Sequence, residues 1–252
     1  MPREWVVAMK RVFADLHLQL NPKDTLSISR IVAKSASFGY HLIAVPLPTD
    51  FRAEEKDKLA EICNNVEVDF VSRVDLRAKS RDQLMSQLRK LRRKYEIICV
   101  SCDSKEIARQ AAKDRRVDLL NFPSVDYKRR FLDRAEAELI CSSLAAWEID
   151  AKPLFLLEGP ARIRFISTIR REVSVAKDFR IPIVLSSGIT DDSLLRKPGE
   201  MAALAELLGL DEVTALEAVS TAPVSIVKRN REKLGSGFVA PGIEIIKEGN
   251  DC

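Results

Sequence analysis

The residues of this 252-residue chain whose types and spacing suggest chemistry begin at Asp15-Leu16-His17-Leu18-Gln19. If this segment is a strand, alternation puts His17 and Gln19 on the same side, where with Asp15 they would converge as metal ligands do. The donor set is poor. Gln19 offers only an amide, and the chain has one other histidine, His41. A multinuclear hydrolase needs several neutral nitrogen ligands. Two readings stand: a mononuclear site of His17, Asp15 and distant carboxylates, or a hydrogen-bonded cluster that holds no ion. We expect the second, with no catalytic residue and no metal or other cofactor bound by the protein.

Other catalytic signatures are weak. There are nine glycines and no Gly-rich phosphate loop. Ser186-Ser187-Gly188, after an apolar run, is either a set of backbone donors for a phosphate or an ordinary strand-ending turn. Cys99 and Cys102 form a C-x-x-C whose first member lies inside an apolar run rather than at an exposed helix start, which argues against redox work. The five cysteines are odd in number and scattered, as reduced thiols are. No apolar run approaches the ~20 residues that cross a bilayer, and the first ten residues lack a signal-like stretch. A cytoplasmic protein without a membrane partner is expected.

The distribution of charge is more informative. Residues 73–134 hold 18 Lys and Arg against 9 Asp and Glu, although the whole chain is only +4. The clusters are Arg73, Arg77, Lys79 and Arg81; Lys90, Arg92, Arg93 and Lys94; Lys113, Arg115 and Arg116; and Lys128, Arg129 and Arg130. Displayed together, such side chains give sequence-independent, salt-sensitive affinity for nucleic acid. Helical clusters such as Arg92 to Lys94 can instead complement a helix dipole. Loop clusters are the stronger candidates: Arg77, Lys79, Lys128, Arg129, Arg130, Arg162 and Arg164 would share one rim of a barrel. Aromatic residues make up only 6% of the chain, which leaves few platforms for base stacking.

The elements that must position these residues follow from periodicity. Short apolar runs at 11–16, 41–46, 66–75, 96–101, 117–122, 153–157 and 183–187 alternate with helical stretches, the pattern of repeated βα units. Runs such as Ile97-Ile98-Cys99-Val100 and Leu154-Phe155-Leu156-Leu157 suggest strands covered on both faces. Asp24 and Ser80 read as helix caps, Ser80 with Gln83 at capping-box spacing. Pro198 suits a first turn, Gly209 a stop, and Asp211 the cap of a helix carrying Val213, Leu216 and Val219. The expected architecture is a TIM-barrel-like α/β barrel in one domain, residues 1–235, with a frayed tail over 236–252.

The opening Phe13-Ala-Asp-Leu-His17 segment resembles the polymerase and histidinol phosphatase superfamily, whose metal enzymes carry Asp-x-His-x-His there. Further stretches resemble the thirty-kilodalton protein subunit family of archaeal and eukaryotic ribonuclease P. These are Val117 to Pro123, Leu132 to Leu139, Ile183 to Gly188, Leu195 to Pro198, Leu204 to Gly209 and Ser220 to Pro223. The resemblance spans about residues 11–230. It implies a barrel related to that superfamily whose metal centre, at Asp15, His17 and Gln19, is degenerate. It also implies membership of a ribonucleoprotein that removes the 5' leader of precursor tRNA, with the RNA as catalyst and Mg2+ required by that RNA. The implied partners are the ribonuclease P RNA, precursor tRNA through the holoenzyme, and other protein subunits, notably a small α/β one. Basic residues at Arg109, Lys128, Arg129, Arg196 and Lys197 are implied RNA contacts, and the Ala/Leu-rich helices of residues 200–222 are either a partner surface or core. The alternative is a metal-dependent phosphoesterase of the same superfamily with a reduced site.

Overall fold

The computed structural model describes residues 11–235, 238–240 and 243–244. Seven parallel strands follow one another around a single sheet in chain order. They are β1 (Ala14–Asp15), β2 (Leu42–Pro46), β3 (Asp69–Leu76), β4 (Ile97–Ser101), β5 (Leu119–Asn121), β6 (Ala146–Asp150) and β7 (Ile183–Ser186). Outside them lie α1 (Thr25–Ser37), α2 (Ala53–Asn64), α3 (Arg81–Leu91), α4 (Lys105–Lys113), α5 (Arg134–Cys141), α6 (Lys152–Leu156), α7 (Gly159–Asp178), α8 (Pro198–Leu207) and α9 (Glu212–Ala218). The last helix is α10 (Thr221–Leu234), and a short antiparallel pair, β8 (Phe238–Ala240) with β9 (Ile243–Glu244), follows it within the segment expected to fray.

The helices form where local chemistry places them. Asp24, Ser80, Ser104, Asp133 and Asp211 each accept a hydrogen bond from a backbone N–H of the first turn they cap. Gly39 and Gly209 follow α1 and α8 with φ of +93° and +104°, the left-handed exit that glycine allows. α3 buries Leu84, Leu88 and Leu91 at helical spacing, and α4 buries Ile107, Ala108, Ala111 and Ala112. On α9 the buried stripe is Ala215 and Ala218, while Val213, expected inside, is exposed.

One strand differs from expectation. Leu154 to Leu157 is not a strand: Pro153 opens the single-turn helix α6 over Lys152–Leu156, and the sixth strand lies earlier, at Ala146–Asp150. Its inward positions carry Glu148 and Asp150, which hide it from a search for apolar runs.

The first and last strands are joined by backbone bonds at the ends where the strands finish. Gly188 N donates to His17 O (2.9 Å) and Gln19 N to Ile189 O (2.8 Å). At the opposite end Ala14 N donates to Val219 O (3.0 Å). The lower interior is apolar: Leu42, Ala44, Val71, Ile97, Leu119, Ala146 and Val184 pack with Ile226 and Val227 of α10. α10 thus plugs the bottom, and the larger cluster fills the space between strands and outer helices. We predict that Ile226→Ala lowers unfolding free energy by about 2–4 kcal/mol, read as a lower urea midpoint with unchanged m-value.

Candidate functional site

Above that apolar floor the inward positions turn polar. β3 contributes Arg73 and Asp75, β4 Cys99, β5 Asn121, β6 Glu148 and Asp150, and β7 Ser186. Arg73, grouped in sequence with surface bases, is in fact buried, and so is Glu148, each with 0% side-chain exposure. The two form a fork: Arg73 Nη1 donates to Glu148 Oε1 (2.6 Å) and Nη2 to Oε2 (2.7 Å). Arg73 also donates through Nε to Asp75 Oδ1 (2.6 Å) and through Nη1 to the Leu16 carbonyl (2.6 Å). Ser186 Oγ (2.7 Å), Asn121 Nδ2 (3.1 Å) and Cys99 Sγ (3.6 Å) complete the surroundings of Glu148.

His17 sits on this network. Its Nδ1 is 2.6 Å from Asp150 Oδ1 and its Nε2 is 3.2 Å from Asp75 Oδ2. Gln19 does converge with it, as alternation predicted, its terminal amide lying 3.2 Å from Nε2. Burial and the Arg73 charge both push the imidazole pKa down, but the Asp150 and Asp75 carboxylates outweigh them and raise it to about 10. An imidazolium donates from both nitrogens, here from Nδ1 to Asp150 and from Nε2 to Asp75. Burial likewise opposes ionisation of Asp75 and Glu148, yet Arg73 and then His17 hold both below the usual carboxylate range. Asp15 turns aside, its Oδ1 accepting from Ser187 N (3.0 Å) and His17 N (3.1 Å). Burial pushes this carboxyl up, and Oδ2 is buried without a partner.

These contacts decide whether a metal fits. One ring nitrogen of His17 and one oxygen each of Glu148 and Asp150 lie within 4.8 Å of one another, a group that could in principle hold an ion. The donors are already occupied: both Glu148 oxygens accept from the Arg73 guanidinium, and His17 Nδ1 is 2.6 Å from Asp150 Oδ1. A divalent ion would have to displace the Arg73 guanidinium from Glu148 and break the His17–Asp150 contact, so the residues as arranged do not fit one. The cavity at the mouth, lined by Gln19, Asn121, Arg130, Glu148, Asp150 and Lys152 among others, is about 140 Å3. That is well short of the roughly 300 Å3 at which small-molecule pockets begin.

The Ser186-Ser187-Gly188 turn is likewise committed. Ser186 Oγ bonds Glu148, Ser187 N bonds Asp15 and Gly188 N bonds His17 O, which removes the anion-cradle reading. Gly188 is required there: φ is +64°, and a Cβ would come within 2.9 Å of the Asp150 side chain.

Of the basic residues singled out in the sequence, Arg77, Lys79, Lys128, Arg129, Arg162, Arg164 and Lys197 are exposed. Arg77 and Lys79 follow β3, Lys128 and Arg129 lie in a short turn after β5, Arg162 and Arg164 in the first turns of α7, and Lys197 caps α8 after β7. All follow the C-terminal ends of strands and so share the end of the barrel where the charged interior opens. Arg196 is half-buried, stacked 4.8 Å over the Phe155 ring with Nη1 donating to the Ser193 and Leu195 carbonyls. Two others have structural partners. Arg109 is held by Asp133 (2.6 Å) and Glu136 (2.7 Å), and Arg130, with a 4% exposed side chain, by Glu172 (2.7 Å). Neither guanidinium is free to meet a phosphate in this conformation.

Known proteins share this sequence pattern and this barrel. Residues 12–234 match the family described as RNase P subunit p30. The chain is 30% identical over 241 residues to ribonuclease P protein component 3 of Methanosarcina barkeri, covering 96% of this chain and 98% of that one. It is 26% identical to the protein of the same name from Methanothermobacter thermautotrophicus, covering 94% and 96%. Its fold superposes with TM-score 0.83, at 21% identity over 94% of this chain and all of the other, on a chain in a cryo-EM structure of archaeal ribonuclease P with mature tRNA. A putative prolidase from Bifidobacterium longum shares the barrel at TM-score 0.60 and 12% identity, over 87% of this chain and 70% of that one.

The buried network sets two expectations. Arg73→Met leaves Glu148 uncompensated and should lower stability by about 3–5 kcal/mol, measured by urea unfolding. His17 has a folded pKa of about 10 against an ordinary 6.5, so its contribution is complete below 6.5 and fades as pH rises toward and past 10. Nitrogen-15 spectra should show both ring nitrogens of His17 protonated at pH 8; a neutral ring there would contradict the network.

Proposed function

The chain belongs to the ribonuclease P p30 subunit family, and on that premise we propose that it is a non-catalytic, RNA-binding subunit of the enzyme that removes the 5' leader from precursor tRNA. In this reading the chemistry and its Mg2+ belong to the RNA, and the protein organises that RNA through phosphate contacts. The supporting observation is the buried Arg73–Glu148 fork, which places a fixed cation among the carboxylates of the barrel mouth. A phosphoesterase of the same superfamily would need those carboxylates free for metal ions.

The RNA-facing surface we infer is the upper rim, with Arg77, Lys79, Lys128, Arg129, Arg162, Arg164 and Lys197 as the exposed cations and Arg196 held ready by Phe155. Arg109 and Arg130 act on that surface indirectly, by fixing the segments that carry it. Arg130 donates to the Phe122 and Ser124 carbonyls as well as to Glu172, which pins the loop bearing Lys128 and Arg129. The partners we infer are the ribonuclease P RNA, precursor tRNA within the holoenzyme, and other protein subunits including a small α/β one. Among the described residues no helix is long and apolar enough to cross a membrane. Cytoplasmic residence suits the buried, unpaired Cys63, Cys99 and Cys102.

The purified chain should cleave no phosphodiester with Mg2+, Mn2+ or Zn2+. Added to the cognate RNA and partner subunit, it should raise precursor-tRNA cleavage. Unaided metal-dependent turnover, assayed on precursor tRNA, would overturn the reading. Replacing Arg77, Lys79, Lys128 and Arg129 with alanine should reduce the dependence of log affinity on log salt by about two to four, at roughly 0.7–0.9 for each phosphate no longer neutralised.

A further inference from the structure

The basic clusters that the upper rim leaves unused come together at the other end of the barrel. Arg92 and Arg93 leave the end of α3, Arg115 and Arg116 lie between α4 and β5, and Arg229 and Lys233 project from α10. These segments are far apart in sequence, yet Arg92, Arg93, Arg115, Arg116 and Lys233 line one concavity of about 190 Å3 with Asp118 and Asn230. It lies beside the starts of β4 and β5, opposite the rim. The five residues of β4 alone separate the two ends by roughly 17 Å.

The charge there is unbalanced. Asp118 is shared by Arg92 and Arg229, and Asp114 is paired with Arg116. Arg93, Arg115 and Lys233 have no carboxylate within ion-pair distance among the described residues. Six cations therefore face two carboxylates. The carbonyl ends of α3, α4 and α10 lie here too, but three helix termini offset only about one and a half units of charge, leaving roughly two to three in excess. The strain is felt by Lys233, whose ammonium pKa is lowered by burial and then by the Arg229 and Arg92 charges, which outweigh Asp118.

We propose that this lower surface is a second phosphate-binding site, taking the sugar-phosphate backbone of RNA, so that the barrel is held by RNA at both ends. The inference rests on the ribonuclease P reading and adds a site to it. RNA is favoured over a protein partner by the composition of the concavity. Its two arginines without a carboxylate partner, Arg93 and Arg115, carry planar forks that match phosphate oxygens, and Leu234 is its sole aliphatic side chain, so it lacks the apolar centre of a protein interface.

The test is binding of the full chain to the cognate ribonuclease P RNA across a salt series, beside cleavage assays in the reconstituted enzyme. Arg93→Ala/Arg115→Ala/Lys233→Ala should flatten the slope of log affinity against log salt by about two and weaken binding about tenfold or more at 0.1 M salt, with an unchanged melting temperature. Arg93→Lys/Arg115→Lys should keep the wild-type slope, which a fold defect would not. A wild-type slope in the alanine triple variant overturns the second site. If the upper-rim alanine variant still loses slope and wild-type protein still raises cleavage, the subunit reading survives that result. Loss of affinity for a protein subunit with the RNA slope intact also overturns it, assigning the patch to an acidic protein. Failure of the wild-type chain to bind RNA or raise cleavage removes both proposals together.

Discussion

The guanidinium of Arg73, buried against Glu148, is the contact from which the top of the barrel is organised. Removing either charge from water costs several kcal/mol (roughly), so the pair persists only because its donors and acceptors are so fully matched. Nε meets Asp75, Nη1 meets Glu148 and the Leu16 carbonyl, and Nη2 meets the second Glu148 oxygen. Asp75, fixed by Arg73, fixes one side of His17; Asp150 fixes the other and is itself held by Asn121 (3.0 Å). The Asp150 side chain then sets the requirement for glycine at 188, where the chain joins the first strand to the last. One ion pair therefore reaches, through four contacts, to the closure of the sheet.

That network also separates shape from chemistry. A related barrel can hold metal ions at its mouth only if the inward carboxylates stay unpaired and the imidazoles neutral. Here an arginine and a protonated histidine supply the positive charge as fixed side chains. Two cations face three acidic side chains, Asp75, Glu148 and Asp150, and the Asn121 amide donates to the last two. These fixed charges make the interior a structural keystone that ties β3, β6 and the residues after β1 together.

How far this could be read in the sequence depended on the range of each signal. Caps such as Asp24, Ser80 and Asp211, and the helix stop at Gly209, act within one turn and were legible. The convergence of His17 and Gln19 was legible for the same reason, since alternation is local. The partners of His17 and Arg73 were not, because they lie 133 residues away, from His17 to Asp150, and 75 away, from Arg73 to Glu148. A trace did exist: Arg73, Asp75, Glu148 and Asp150 are charges at alternating positions inside strands, where solvent cannot explain them. The same trace concealed β6, since a strand with two inward acids does not look like a buried one, while the four apolar residues at 154–157 do.

The basic excess of residues 73–134 needs the same division before it can be read as affinity for RNA. Arg73 lies in the interior, and Arg92, Arg109, Arg116 and Arg130 are paired with Asp118, Asp133 and Glu136, Asp114, and Glu172. Each of these is an arginine, the side chain whose planar fork holds a carboxylate with the least loss of freedom per bond. They brace neighbouring elements: Arg109 ties α4 to α5, and Arg130 ties the loop after β5 to α7. The cations left facing solvent, including Arg77, Lys79, Lys128 and Arg129 above and Arg93 and Arg115 below, lie at the two ends of the strands. Counterion release counts only charges free to meet a phosphate, so affinity should follow these end groups and not the total. The barrel wall uses its arginines for rigidity, and that rigidity gives the free cations at each end a fixed spacing for a polyanion to match.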